Sequence, residues 1–206
     1  MPAGSLIAFT AAATLLTITP GLDTALVLRT AAAEGKRKAF AAALGIGLGC
    51  LAWGTIVAFG LGALLQASTL AYRALKWIGA AYLVWLGVQL IRTQRTELDQ
   101  PDTVRAGEAS AWLQRGLLTN LLNPKVGIFY ISFLPQFIPA GVDVRAMTLL
   151  LATIHVMLGL AWFALLIGAT APLGRALRRP GTIRALDRLT GGVFLLFGVK
   201  LALSRT

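Results

Sequence analysis

Acidic residues are scarce in this chain: eight Asp and Glu stand against 19 Lys and Arg in 206 residues, and charged residues of both signs make up only 13%. Soluble domains draw about a quarter of their residues from that set. The chain therefore lacks the Lys and Glu coat that hydrates a water-facing surface. One cysteine, Cys50, excludes a disulfide framework, a CxxC redox pair and a cysteine zinc site. One histidine, His155, excludes an HExxH motif and any His-rich metal cluster, so no cofactor or resident metal is expected. The start, MPAGSLIAFT, has no base before its apolar run, which argues against a cleaved secretory signal.

Apolar residues are plentiful. The AVILMFWYC set reaches 57%, and mean hydropathy is +0.75. A core that large does not fit inside a soluble globule of this size, so most of the chain is read as solvated by lipid. The net charge of +11 raises a nucleic-acid reading. The bases, however, fall in short clusters between apolar runs, as in loops beside a membrane. No nucleic-acid partner is expected.

A spanning helix needs about 20 apolar residues. Six runs qualify: Ser5–Leu28, Ala39–Leu65, Ala74–Ile91, Gly116–Ile138, Ala146–Ala171 and Leu189–Leu203. They are continuously apolar rather than alternating, which excludes a β-barrel and predicts an all-α polytopic membrane protein of six transmembrane helices. After spans one, three and five come Arg29, Lys36, Arg37, Lys38; Arg92, Arg95, Arg105, Arg115; and Arg175, Arg178, Arg179, Arg184, Arg188. The other side holds Arg73, Lys76, Arg145, Lys200 and Arg205. The positive-inside rule then puts the odd loops in the cytoplasm and both termini in the periplasm.

The third loop carries Glu97, Asp99, Pro101, Asp102, Gly107 and Glu108. It divides a single membrane domain, 1–206, into a first half (1–92), a polar linker (93–115) and a second half (116–206). Lys76–Trp85 can be laid over Arg188–Phe197 with glycines, aromatics and a leading base coinciding. Three spans per half make an odd number, so a duplicated half enters the membrane upside down, giving a 3+3 inverted repeat of the kind secondary transporters use. The plainer alternative is a Gly-aromatic-Leu pattern recurring by chance.

Spans one and four contain Thr19-Pro20-Gly21-Leu22-Asp23 and Asn120-Leu-Leu-Asn123-Pro124-Lys125. Proline removes a backbone donor and clashes with the preceding turn, so each span is expected to break and restart as a half-helix. Thr19 and Asn123 suit the N-cap, and Pro20 and Pro124 the first helical position. Counted from Arg29 and Arg115, the two prolines lie at one level, about 13 Å deep. Asp23, Lys125 and His155 are the ionisable side chains read as lying well inside the hydrocarbon. A buried charge is costly there and takes a partner, so Asp23 and Lys125 are expected to pair. One reading makes Asp23 a first-turn acid on a helix dipole with Lys125 as its neutraliser. The other makes a substrate site of Thr19, Pro20, Gly21, Asp23, Asn120, Asn123, Pro124 and Lys125. Helix N-termini would there receive a carboxylate and Asp23 an ammonium, with Asp23 and His155 as a proton relay.

TPGLD, LLNPKVGIFYISFLPQF and KWIGAAYLVWLGVQLIR resemble the corresponding segments of the LysE/RhtB amino-acid exporter family over essentially the whole chain. The resemblance implies a secondary active exporter of amino acids or close derivatives in the bacterial inner membrane, driven by a proton or other ion gradient. Leu22 stands where a second proline is commoner in the family, which implies a softer break at Pro20. The alternatives are a heavy-metal cation exporter, which wants several soft or carboxylate ligands, and a non-transporting scaffold subunit, which needs neither breaks nor buried charges.

Gly45, Gly47 and Gly49, extended by Ala41, form a small-residue stripe. It is read as close helix packing, with homodimerisation as the second reading. Trp77 and Trp112 are placed in an interfacial belt, Trp53, Trp85 and Trp162 in packing positions. His155 is read as a hydrogen-bonded interior residue or as the relay named above. No enzyme is expected, because two buried acids, a metal-binding histidine pair and a cysteine pair are all missing.

Overall fold

The computed structural model describes residues 3–67, 69–92, 108–169 and 179–203. Among these there is no strand. The helices are α1 (Ala3–Ile18), α2 (Leu22–Ala33), α3 (Lys36–Ala67), α4 (Thr69–Arg92), α5 (Ala109–Leu121), α6 (Pro124–Ile128), α7 (Val144–Gly168) and α8 (Pro180–Leu203). A π-turn, Phe129–Phe133, and a 3-10 turn, Leu134–Phe137, continue α6. By length and composition α3 over Lys36–Gly60 and α7 are each able to cross a membrane. The pairs α1/α2 and α5/α6 serve as two more spans if each bent pair counts as one. Within α4 the apolar stretch is the shorter Trp77–Gln89.

Both proline motifs break their helices, by 52° between α1 and α2 and 55° between α5 and the segment beginning at Pro124. With Leu22 in place, the Pro20 break bends nearly as far as the Pro124 break. Leu22 sits at the first helical position of α2, where proline would also fit. The expected capping at this break is corrected. Gly21, extended at φ −155°, is the N-cap, and it offers no side chain. Thr19 stays with α1 because its hydroxyl donates to the Leu15 carbonyl at 2.7 Å and meets the Thr190 hydroxyl of α8. At the second break Asn123 does cap, accepting from the Lys125 backbone N–H at 3.1 Å, and Pro124 follows at the start of α6.

Pro135 lies within the fourth run and deprives the Ile131 carbonyl of its usual helical donor. The backbone answers with the π and 3-10 turns, and the Gln136 amide donates to the Ser132 carbonyl at 2.9 Å. Gly35 (φ +89°) closes α2 with a left-handed residue, and Lys38 and Glu34 pair across that turn at 2.6 Å.

Apolar tails compete equally well for apolar side chains, so helices in lipid gain by close backbone approach. The glycine stripe on α3 does this. A Cβ at Gly45 would collide with the Leu113 carbonyl of α5, one at Gly116 with the Ala42 carbonyl of α3, and one at Gly47 would touch Val156 of α7 at 3.4 Å. The stripe is consumed within the chain, as the packing reading expects. Helix α3 lies chiefly against α5 and α7, α4 against α8, and α7 against α1 and α2. Phe9, Phe129, Phe133, Phe137 and Phe197 fill the space between α1, the turns after α6 and α8, with Phe133 and Phe197 ring centroids 4.3 Å apart.

Several elements extend beyond the runs read from sequence. Helix α5 starts at Ala109, so the end of the expected linker is helical, while residues 93–107 lie outside the described residues. Trp112 is buried in that early turn under the Arg115 guanidinium, 4.6 Å from its ring, instead of sitting in a belt. Trp85, expected to pack, is 54% exposed on α4. Helix α8 starts at Pro180, and Asp187, which the sequence reading leaves in a loop, is buried.

Candidate functional site

Each break exposes helix ends whose backbone groups have lost their helical partners. The Leu16 carbonyl would ordinarily accept from residue 20, and Pro20 has no N–H. The Lys125 ammonium replaces that donor, at 3.3 Å from the Leu16 oxygen and 3.1 Å from the Thr19 oxygen. A cation at the C-terminal end of α1 also complements the helix dipole. Lys125 thus fastens the start of α6 to the end of α1, and the two breaks face one another.

Asp23 lies in the first turn of α2. Its Oδ2 accepts from Asn120 Nδ2 at 2.8 Å, and the same amide nitrogen lies 3.4 Å from Cys50 Sγ. Lys125 attracts Asp23 through its charge, while the hydrogen bonds of the two go to other groups. Asn120 holds the acid and backbone carbonyls hold the base. Asn120 itself is completely buried against α3, where Gly49 makes room for it: a Cβ there would lie 2.6 Å from Asn120 Oδ1. Among the described residues Asp23 Oδ1 and Asn120 Oδ1 are buried acceptors without a donor in good geometry, the Asn123 side chain being the nearest further one to the Asp23 carboxylate. Leaving such a group unsatisfied costs about 1–3 kcal/mol, so an incoming donor gains by meeting it.

Asp23, Lys125 and Cys50 border a cavity of about 60 Å³ between α1, α2, α3, α6 and α7. That is room for roughly four to six waters. Of the residues singled out by sequence, Thr19, Gly21, Asp23, Asn123, Lys125 and His155 line it. Pro20 and Asn120 are buried behind the wall, and Pro124 is exposed, so these three shape or hold the site rather than border it. His155, buried on α7, shares a 3.0 Å hydrogen bond between its Nδ1 and the Tyr130 hydroxyl, which fits the interior-histidine reading while leaving it on the cavity wall.

Sequence reasoning missed Thr24, Cys50 and Gly159 as lining residues and Thr190 as the partner of Thr19. The signal for Cys50 was its position one residue after the glycine stripe, on the face that meets α5. Thr190 carried no signal beyond lying in the segment that matches the first half.

An apolar, all-helical bundle with two helix breaks meeting at a small cavity that holds a few charged and polar groups has the plan of a membrane transporter for small solutes. The chain belongs to the LysE type translocator family, whose model matches residues 14–205. It is a transporter and not an enzyme. It is similar to the homoserine/homoserine lactone efflux protein of Salmonella typhimurium (32% identical over 204 residues, 96% of each chain). It is also similar to the leucine efflux protein of Klebsiella pneumoniae (31% over 196 residues, 92% of this chain and 91% of the other). The threonine efflux protein of Escherichia coli is 29% identical over 194 residues, 91% of this chain and 92% of that one. No solved structure matches the chain.

Proposed function

We propose that this protein exports neutral, small or aliphatic amino acids or close derivatives across the bacterial inner membrane, coupled to the proton gradient. The observation that carries the reading is the orphaned Asp23 Oδ1 beside an uncapped helix N-terminus in one cavity. An ammonium group supplies the donor that Asp23 Oδ1 lacks. A carboxylate is favoured by the free N–H groups of α2, near which Lys125 adds positive charge. The second half-helix is a weaker anion site, because Asn123 already caps it and Pro124 has no N–H. Homoserine, leucine and threonine, named for the relatives above, are all neutral zwitterions. A bare divalent cation would meet a helix N-terminus and an ammonium, both repulsive to it. In this reading Asp23 exchanges the substrate ammonium for a proton, with His155 as the second group able to carry one.

The reading extends to six spans arranged as two inverted halves, 1–92 and 116–206, joined by the cytoplasmic linker 93–115, with both termini periplasmic. Its support is the exchange symmetry of the packing: α3 lies on the broken helix of the second half, α7 on that of the first, and α4 pairs with α8.

Uptake of a panel of radiolabelled amino acids into inside-out vesicles under an imposed proton gradient tests the function. Gradient-driven movement of neutral amino acids is expected. Movement of cadmium, nickel or zinc with no amino acid would replace this reading with a metal exporter. For topology, Lys36→Cys and Arg179→Cys in a Cys50→Ala background are expected to label from the cytoplasm and Arg145→Cys from outside; periplasmic labelling at position 36 would invert it.

A further inference from the structure

The cavity is chemically divided, and the division points to how substrates are selected. Its charged groups, Asp23 and Lys125, lie at the two helix breaks, with His155 of α7 and Cys50 of α3 as further polar lining. The opposite wall is one face each of α3 and α7, formed by Ile46, Val156, Gly159, Leu160 and Phe163. On α7 these fall at i, i+3, i+4 and i+7 from Val156, which places them on one helical face. No carboxylate or base stands among them. A zwitterion whose ends are held at the breaks has its side chain directed against this wall.

Gly159 differs from the other glycines that line or brace the site. A Cβ at Gly47 would press on Val156 and one at Gly49 on Asn120, whereas a Cβ at Gly159 would meet nothing within 4 Å. It borders the cavity without supporting a helix crossing. Close packing therefore does not require glycine there, and a side chain added at 159 has open space to occupy.

We propose that the α3/α7 wall is the side-chain pocket of the substrate site and that Gly159 is its specificity-determining residue, admitting aliphatic side chains up to the size of leucine. This rests on the amino-acid export reading above. Each methylene buried against an apolar wall is worth about a fourfold preference. Leucine is then preferred over alanine by at least about tenfold, and lysine, whose ammonium finds no acid on this wall, is excluded.

Export of alanine, threonine, leucine and lysine is measured in the same vesicles for the wild type, Gly159→Ala, Gly159→Leu and Leu160→Ala, with membrane abundance followed by immunoblot. Gly159→Leu is expected to lower leucine export about tenfold or more while alanine and threonine fall less than about threefold; Gly159→Ala gives an intermediate loss, and Leu160→Ala widens acceptance to larger side chains. An equal fall for all amino acids in Gly159→Leu at normal abundance, or leucine export unchanged by it, overturns the pocket assignment while leaving amino-acid export intact. A wild type that moves no amino acid overturns the function itself. Both are read against Asp23→Asn, which is expected to lose every substrate alike.

Discussion

The two helix breaks share a proline, a bend of a little over 50° and a place beside the same cavity, yet their ends are satisfied differently. At the second break the repair is local: Asn123 caps α6 through the Lys125 N–H two residues on. At the first break the repair comes from across the bundle. Lys125 serves the carbonyls that Pro20 strands on α1, Thr190 holds the Thr19 hydroxyl, and the N-terminus of α2 keeps a glycine cap with no side chain. One break is closed by its own sequence and acts as a support. The other is left with free N–H groups and a half-satisfied carboxylate, and this is where an incoming ligand has most to gain.

That contrast is sharpest at Asp23. Asp23→Asn removes the charge while keeping an oxygen for Asn120, so export is expected to fall at least about 100-fold, the scale of a lost charge-assisted contact, with normal abundance in the membrane. Wild-type transport in this variant would reduce Asp23 to a helix-dipole residue, and the two breaks would then be functionally alike. The matching change across the gap, Lys125→Met, strands two carbonyls of α1. A loss of about 1–3 kcal/mol per group is expected, read as a lower unfolding temperature in detergent together with reduced export. If stability is unchanged and only transport falls, Lys125 acts on the substrate and not as the clasp between breaks.

Gly49→Ala tests the wall behind the first break. The added methyl would lie 2.6 Å from Asn120 Oδ1, too close to be accommodated, so Asn120 turns away from Asp23, and export is expected to drop about tenfold with little change in abundance. Asn123→Ala removes the local cap and is expected to cost about 0.5–2 kcal/mol in stability, with export retained at a reduced rate. The smallest effect belongs to Leu22→Pro. Position 22 is already the first residue of α2, where the fixed φ of proline is compatible. A gain of about 0.4–1 kcal/mol or less is expected; a clear loss of stability would show that the first break depends on the Leu22 side chain.

The family, the helical class and the positions of both breaks were legible in the sequence. Proline chemistry acts within one turn, and the hydrophobic runs are long enough to need no tertiary information. So was the pairing of Asn123 with the turn that follows it, which spans two residues. What stayed hidden depended on which distant groups meet. The sequence offered Lys125 an acid of opposite sign at Asp23. The fold keeps that attraction and adds hydrogen bonds from the ammonium to the Leu16 and Thr19 carbonyls, because a stranded backbone acceptor competes for the same donor. Asp187 precedes the apolar run Leu189–Leu203, yet it is buried because α8 begins at Pro180. Glycines 47, 49 and 159 look alike along the chain. Only the crossing of α3 with α5 and α7 decides that the first two make room for neighbours and the third borders open space, because packing depends on the separation of helices and not on the residue's own preference.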